Sequence, residues 1–294
     1  MSEIQWGTPI AVYLFLAGLS AGAFSCTALP GRGDAEGRGH ASQHTIALLI
    51  PFMLAVGIVM LILDLGQRIS FWKLLINFRL VSPMSLGAWI LVFFSLLSVI
   101  WAIVLIPERF RSLLSRGPKW LSRLQKIDRK KIGFGGSALA VLVAVYTGVL
   151  LSSTAVPLWN WMLPLLFLFS SFSSGHALEF LANLRYDARE EPSKAQSEKR
   201  RLQPYRVLLI GQLLAVLAFL LLTSLTQSRE VVLHLICGGI GVLWWVGAVG
   251  AGILFPLIMT CYRGTHAWVI FAALFGELAG AFIMRWSILI AGQI

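Results

Sequence analysis

Long apolar runs recur along this chain, separated by short polar stretches. About 20 apolar residues in a helix cross the ~30 Å of hydrocarbon in a bilayer. Runs of that size cover 8–29, 45–66, 84–106, 133–155, 158–181, 205–225, 231–257 and 265–290. They predict an all-α integral membrane protein of eight transmembrane helices. The narrowest division lies between the fourth and fifth runs, where a segment around Pro157 follows a Ser-rich helix end and predicts a tight reversal. Two connections are longer and polar, 107–132 and 182–204, and no stretch reads as a soluble domain.

Composition sharpens this picture. The chain of 294 residues is 57% hydrophobic and only 13% charged, against about 25% charged in a soluble domain. Its net charge of +11 would suit nucleic acid, but the basic residues sit between the apolar runs rather than on one face. Nucleic-acid binding is therefore excluded, and the lipid bilayer is the expected surrounding. Of 24 Lys and Arg residues, nineteen fall in the connections after the first, third, fifth and seventh runs, and four on the other side. This excess assigns the first set to the cytoplasm and both termini to the extracytoplasmic side. An odd number of crossings would destroy the separation. The first run has no basic lead-in, Glu3 being its only early charge, and predicts a retained helix rather than a cleaved leader.

Charges inside apolar runs are few, and each costs about 2.5–3.5 kcal/mol at the helix centre on insertion scales. Asp64 ends the second run, four residues before Arg68, a spacing that lets the two pair on one helix face. Glu277 and Arg285 lie in the last run and His176 near the cytoplasmic end of the fifth. They suit either a structural role or a proton path. The three cysteines, Cys26, Cys237 and Cys261, form no C-x-x-C pair, so their spacing supplies no Fe–S or metal ligand set. A membrane haem needs two histidines on facing helices, and the five present signal one only weakly: His176 lies within the fifth run, while His40, His44 and His266 lie near the same side at helix ends or in connections. Gly18 and Gly22 form a G-x-x-x-G, and six glycines crowd 238–252, as expected of close helix packing.

Several segments in order along the chain resemble the NrfD/polysulfide-reductase membrane-subunit family. They are WGTPIAVYLFLAGLSAG at 6–22, LDLGQR at 63–68, SFWKLLINFRLVSPMSLGAW at 70–89, YTGVLLS at 146–152, LPLLFLFSSFSSG at 163–175 and MRWSILIAGQ at 284–293. The resemblance implies two four-helix bundles, 1–156 with a quinone site and 157–294. It implies a subunit of the bacterial cytoplasmic membrane that handles menaquinone or ubiquinone in anaerobic respiration and holds no haem or Fe–S cluster itself. Its implied partners are a four-cluster ferredoxin-like Fe–S subunit on the extracytoplasmic face and, beyond it, a molybdopterin or multihaem catalytic subunit. The family's quinone pocket maps onto Tyr13, Asp64 and Tyr146, with Arg68 beside the acid. On the orientation above, these residues share the extracytoplasmic half of the first, second and fourth helices. A carboxylate near a phenol is what proton transfer at a quinone ring requires. The basic and aromatic connection 67–83, with Trp72 and Arg79, is the expected dock for the Fe–S subunit. The alternative function is a proton-coupled secondary transporter using His176, Glu277 and Arg285.

Overall fold

The computed structural model describes residues 6–28, 40–64, 76, 82–106, 128–154, 156–187, 195–226, 229–262 and 267–293. All regular structure among them is helical: α1 (Thr8–Ala28), α2 (His40–Asp64), α3 (Pro83–Val104), α4 (Arg129–Ser152), α5 (Leu163–Asp187), α6 (Ala195–Thr226), α7 (Arg229–Cys237), a π-helix (Leu243–Leu254) running into α8 (Phe255–Met259), and α9 (Ala267–Ala291). Seven of these, α1 to α6 and α9, are long and apolar enough to cross a membrane.

Local chemistry explains the helix ends. Pro83 opens α3 at a position where a missing N–H is harmless. Asp128 caps α4, its Oδ1 accepting from the Lys130 amide at 3.0 Å. The reversal expected at Pro157 is present and ordered. Asn160 Oδ1 accepts from the Met162 amide at 2.9 Å, and Asn160 Nδ2 donates to Thr223 Oγ1 at 2.7 Å. The fourth helix ends at Ser152 and the fifth begins at Leu163, so the turn is longer than the sequence suggests.

α1 is the hub. It is apolar on all sides, and 83% of its span is buried in protein, against 28% for α2. α1 packs against α2, α4 and α5, whereas α9 packs against the π-helix and α5. Small residues permit the closest approach. A Cβ on Gly22 would fall on the Ser171 carbonyl, and Gly175 lies against the Gly22 backbone.

The seventh predicted run, 231–257, departs from a continuous helix. It breaks after Cys237, turns through Gly238–Gly241 with the Gly241 amide donating to the Gly238 carbonyl at 2.8 Å, and resumes as a wide π-helix. A side chain on Gly241 would strike the Ile236 carbonyl, so this turn requires glycine. The π-helix lies antiparallel to α9, with Gly252 against Gly280 and Gly247 against Ile283.

Contacts at the helix ends define two faces. The Trp6 amide donates to Gln293 Oε1 at 2.6 Å, and Gln293 Nε2 returns a bond to the Trp6 carbonyl at 3.0 Å. Trp159 in the α4–α5 turn stacks near Trp6 (5.3 Å between rings) and donates to the Ile288 carbonyl. The start of α1, the α4–α5 turn and the ends of α6 and α9 therefore share one face. On the opposite face, Trp101 at the end of α3 donates to Thr27 at the end of α1 at 3.0 Å.

A candidate ligand pocket at the face bearing the termini

Three of the predicted pocket residues lie at this face, on α1, α2 and α4. Tyr13 is on the second turn of α1 and fully buried; Tyr146 is on the second turn from the end of α4 and 8% exposed. Because α4 stops at Ser152, Tyr146 is six residues from its end, or about 9 Å deep at 1.5 Å per residue. The expectation of a helix running to 155 placed it deeper. The two phenols are close enough to interact electrostatically. The Tyr146 ring lies on Gly87 of α3, and any side chain there would occupy the space of its phenol carbon Cζ. Thus the glycine of the SPMSLG segment makes room for the tyrosine of YTG.

Tyr13 packs beside α2 at Gly57, whose Cβ position is 3.7 Å from the Tyr13 ring. Its hydroxyl is buried and has no hydrogen-bond partner among the described residues. A buried hydroxyl left unsatisfied costs about 1–3 kcal/mol, so such a group points to a partner that those residues do not supply. Asp64 stands at the rim. It closes α2 beside the start of α1, with Oδ1 2.9 Å from the Cβ position of Gly7. It lies seven residues beyond Gly57, roughly 10 Å higher along the axis. The phenols lie within electrostatic reach of each other, and the acid stands nearer the helix ends than either. Arg68 and the rest of 65–81, apart from Ile76, lie outside the described residues.

The other three predicted residues assemble elsewhere, between α5, α6 and α9. Arg285 is fully buried and held by neutral groups. Its Nη1 donates to Ser170 Oγ (2.9 Å) and the Ala281 carbonyl (3.0 Å), and its Nη2 donates to Ser171 Oγ (3.0 Å). Its guanidinium carbon also lies 5.0 Å from the centre of the Phe167 ring. Glu277 accepts a hydrogen bond from the Tyr205 hydroxyl. Eight residues separate Glu277 from Arg285, about 12 Å along α9, so the two do not pair with each other. His176 lies with its ring 6.3 Å from that of Tyr205, and its Nδ1 is 3.6 Å from Glu179 Oε2. Ser173 completes the cluster by donating to Gln212 Oε1 at 2.6 Å. Ser170, Ser171, Tyr205 and Gln212 were not singled out in the sequence. The clustered serines of LFLFSSFSSG were the available signal, since four hydroxyls on one apolar helix must find partners.

Comparison with known proteins assigns the chain to a family. The family model described as "Polysulphide reductase, NrfD" matches residues 1–294. Protein NrfD of Escherichia coli is 29% identical over 99% of this chain and 96% of its own length. A polysulfide reductase polypeptide of Wolinella succinogenes is 32% identical over 99% and 95%, respectively. A selenate reductase subunit from Mesobacillus selenatarsenatis is 26% identical over all of this chain and 75% of its own. A family match that runs from the first residue to the last, on a chain with seven apolar membrane-length helices among its described residues, establishes that this protein belongs to the NrfD polysulphide reductase family.

Proposed function

We propose that this chain is the membrane subunit of a respiratory reductase and exchanges electrons between the quinone pool and an Fe–S partner at the face bearing its termini. The observation that carries this is the buried hydroxyl of Tyr13, unpartnered among the described residues, on the helix whose start lies beside the carboxylate of Asp64. A quinone ring fits these groups, because its oxygens accept from phenols and its protons need an acceptor that reaches water. When bound, quinol supplies two electrons and two protons. Tyr13 and Tyr146 would hold the ring oxygens, and Asp64 would take up a proton and release it to the aqueous face. The names of two relatives, from a polysulfide and a selenate reductase, support assembly with a catalytic partner. The partner set that fits is a four-cluster ferredoxin-like subunit docked on 67–83 and a molybdopterin or multihaem enzyme beyond it.

Eight crossings in two four-helix bundles complete this proposal. α6 and α9 end at the same face, so the chain between them has to return once, and the broken segment from α7 to α8 is the element available to do it. The Lys and Arg distribution makes the termini face extracytoplasmic in a bacterial cytoplasmic membrane.

The test is Asp64→Asn, which keeps size and hydrogen bonding but removes the proton acceptor. The complex assembles, its activity with an artificial electron donor is retained, and quinone-linked turnover falls by roughly 10²-fold or more. Near-normal quinone-linked turnover would overturn the assignment. A second reading, proton movement through the other half of the protein, is favoured by one observation: Glu277, Tyr205 and His176 form a buried polar series leading toward the opposite face.

A further inference from the structure

The seam between α1 and α5 carries one polar cluster that the quinone reading does not use and of which the second reading takes only His176. The two helices run in the same direction and are registered by small residues. Gly18 meets Ser171, and Gly22 meets Ser171 and Gly175. Each further step of four residues advances both helices by about one turn on the same face. The next step brings Cys26 of α1 beside Glu179 of α5, with His176 one turn before Glu179 on α5. One ligand atom from each of Cys26, His176 and Glu179 lies within 4.8 Å of the others.

We propose that Cys26, His176 and Glu179 form a binding site for a borderline-soft divalent metal, with Zn²⁺ the best fit, where α1 and α5 approach the face opposite the termini. The donor set is one thiolate, one imidazole and one carboxylate, a combination that suits zinc and leaves a fourth position for water. Zinc bonds of about 2.0–2.3 Å place neighbouring tetrahedral ligand atoms about 3.4–3.6 Å apart. His176 Nδ1 and Glu179 Oε2 are already 3.6 Å apart, a distance too long for a hydrogen bond between them. Closing the remaining gap to Cys26 takes on the order of 1 Å of side-chain movement. Cys26 and His176 are buried, and the Glu179 side chain is 12% exposed, so the carboxylate marks the way in. Binding replaces the thiol S–H bond with an S–Zn bond and releases that proton to water. The thiolate and carboxylate together neutralise the ion, as a low-dielectric site requires. Ligand spacing in the sequence predicted no such site, because Cys26 and His176 are 150 residues apart.

Titration with Co²⁺ as a spectroscopic stand-in tests this on the intact chain in nanodiscs. A Cys237→Ser/Cys261→Ser background removes the two exposed cysteines. A thiolate-to-cobalt charge-transfer band in the near ultraviolet should appear, saturate at about one ion per chain and vanish on addition of Zn²⁺. Cys26→Ser should abolish the band. His176→Gln and Glu179→Gln should each weaken binding by about tenfold or more. If Cys26→Ser does not fold, Glu179→Gln, whose side chain is the most exposed of the three, decides by its Co²⁺ affinity and its unchanged metal-free melting temperature. No band in the parent background overturns the proposal. So does a band that persists in folded Cys26→Ser, or an affinity indifferent to Glu179→Gln.

Discussion

The two halves of this protein hold their most deeply buried polar side chains differently. In the second half, Arg285 has three hydrogen bonds and an aromatic face and Glu277 accepts from Tyr205, while Arg285 Nε and Glu277 Oε1 have no partner among the described residues. In the first half, the fully buried Tyr13 hydroxyl has no partner among the described residues, and the Tyr146 phenol fills a niche made by a glycine. A membrane interior offers no water to rescue an unpaired group, and the Tyr13 side chain, unlike those of Arg285 and Glu277, has no other polar atom through which the fold holds it. The contrast sets Arg285, held through several bonds, against Tyr13, whose single polar atom is left for the proposed ligand.

The largest disruption of this arrangement comes at the seam joining the halves. Gly22→Val places a side chain on the Ser171 carbonyl and forces α1 away from α5. Overpacking costs about 1–3 kcal/mol and more where backbone opposes backbone. Both halves should lose stability together, seen as little monodisperse protein on size-exclusion chromatography and a much lower melting temperature. Next comes the pocket itself. Gly87→Ala puts a methyl group where the Tyr146 ring lies, so the chain should fold but lose on the order of tenfold in quinone-linked turnover. A smaller effect is expected in the paired half. Tyr205→Phe strips Glu277 of its donor and should lower stability by about 1–3 kcal/mol, read from a thermal melt, with quinone-linked turnover largely kept. The smallest concerns orientation alone. A cysteine at Ser122, in a basic connection, should resist a membrane-impermeant thiol reagent in intact cells and react after permeabilisation.

Much of this was legible in the sequence because bilayer thickness imposes a length on apolar runs. Six helices from α1 to α6, the α9 span and the reversal near Pro157 follow from run length and turn residues. Asp64 stood out as an acid at a run's end, and Tyr13 and Tyr146 through the family segments that contain them. The break in 231–257 did not, since glycines barely alter an apolar window, and only contact with α9 shows why Gly247 and Gly252 must be small. The partners of Arg285 were hidden for a related reason. Serines in a long apolar run carry no charge signal, and Ser170 lies 115 residues from the arginine it binds. The depth of Asp64 above the phenols was also beyond the sequence, because it depends on where α2 crosses α1 at Gly57.

The central claim, that the orphan hydroxyl of Tyr13 serves a bound quinone rather than the fold, is tested most directly by Tyr13→Phe. The substitution removes one oxygen with no partner among the described residues, so the melting temperature should stay level or rise, in contrast to Tyr205→Phe. Quinone-linked turnover in the same preparation should fall by about tenfold, with a raised KM for quinol, as expected when a binding contact is lost. A Tyr13→Phe protein that loses as much stability as Tyr205→Phe and keeps full quinone-linked turnover would contradict the account.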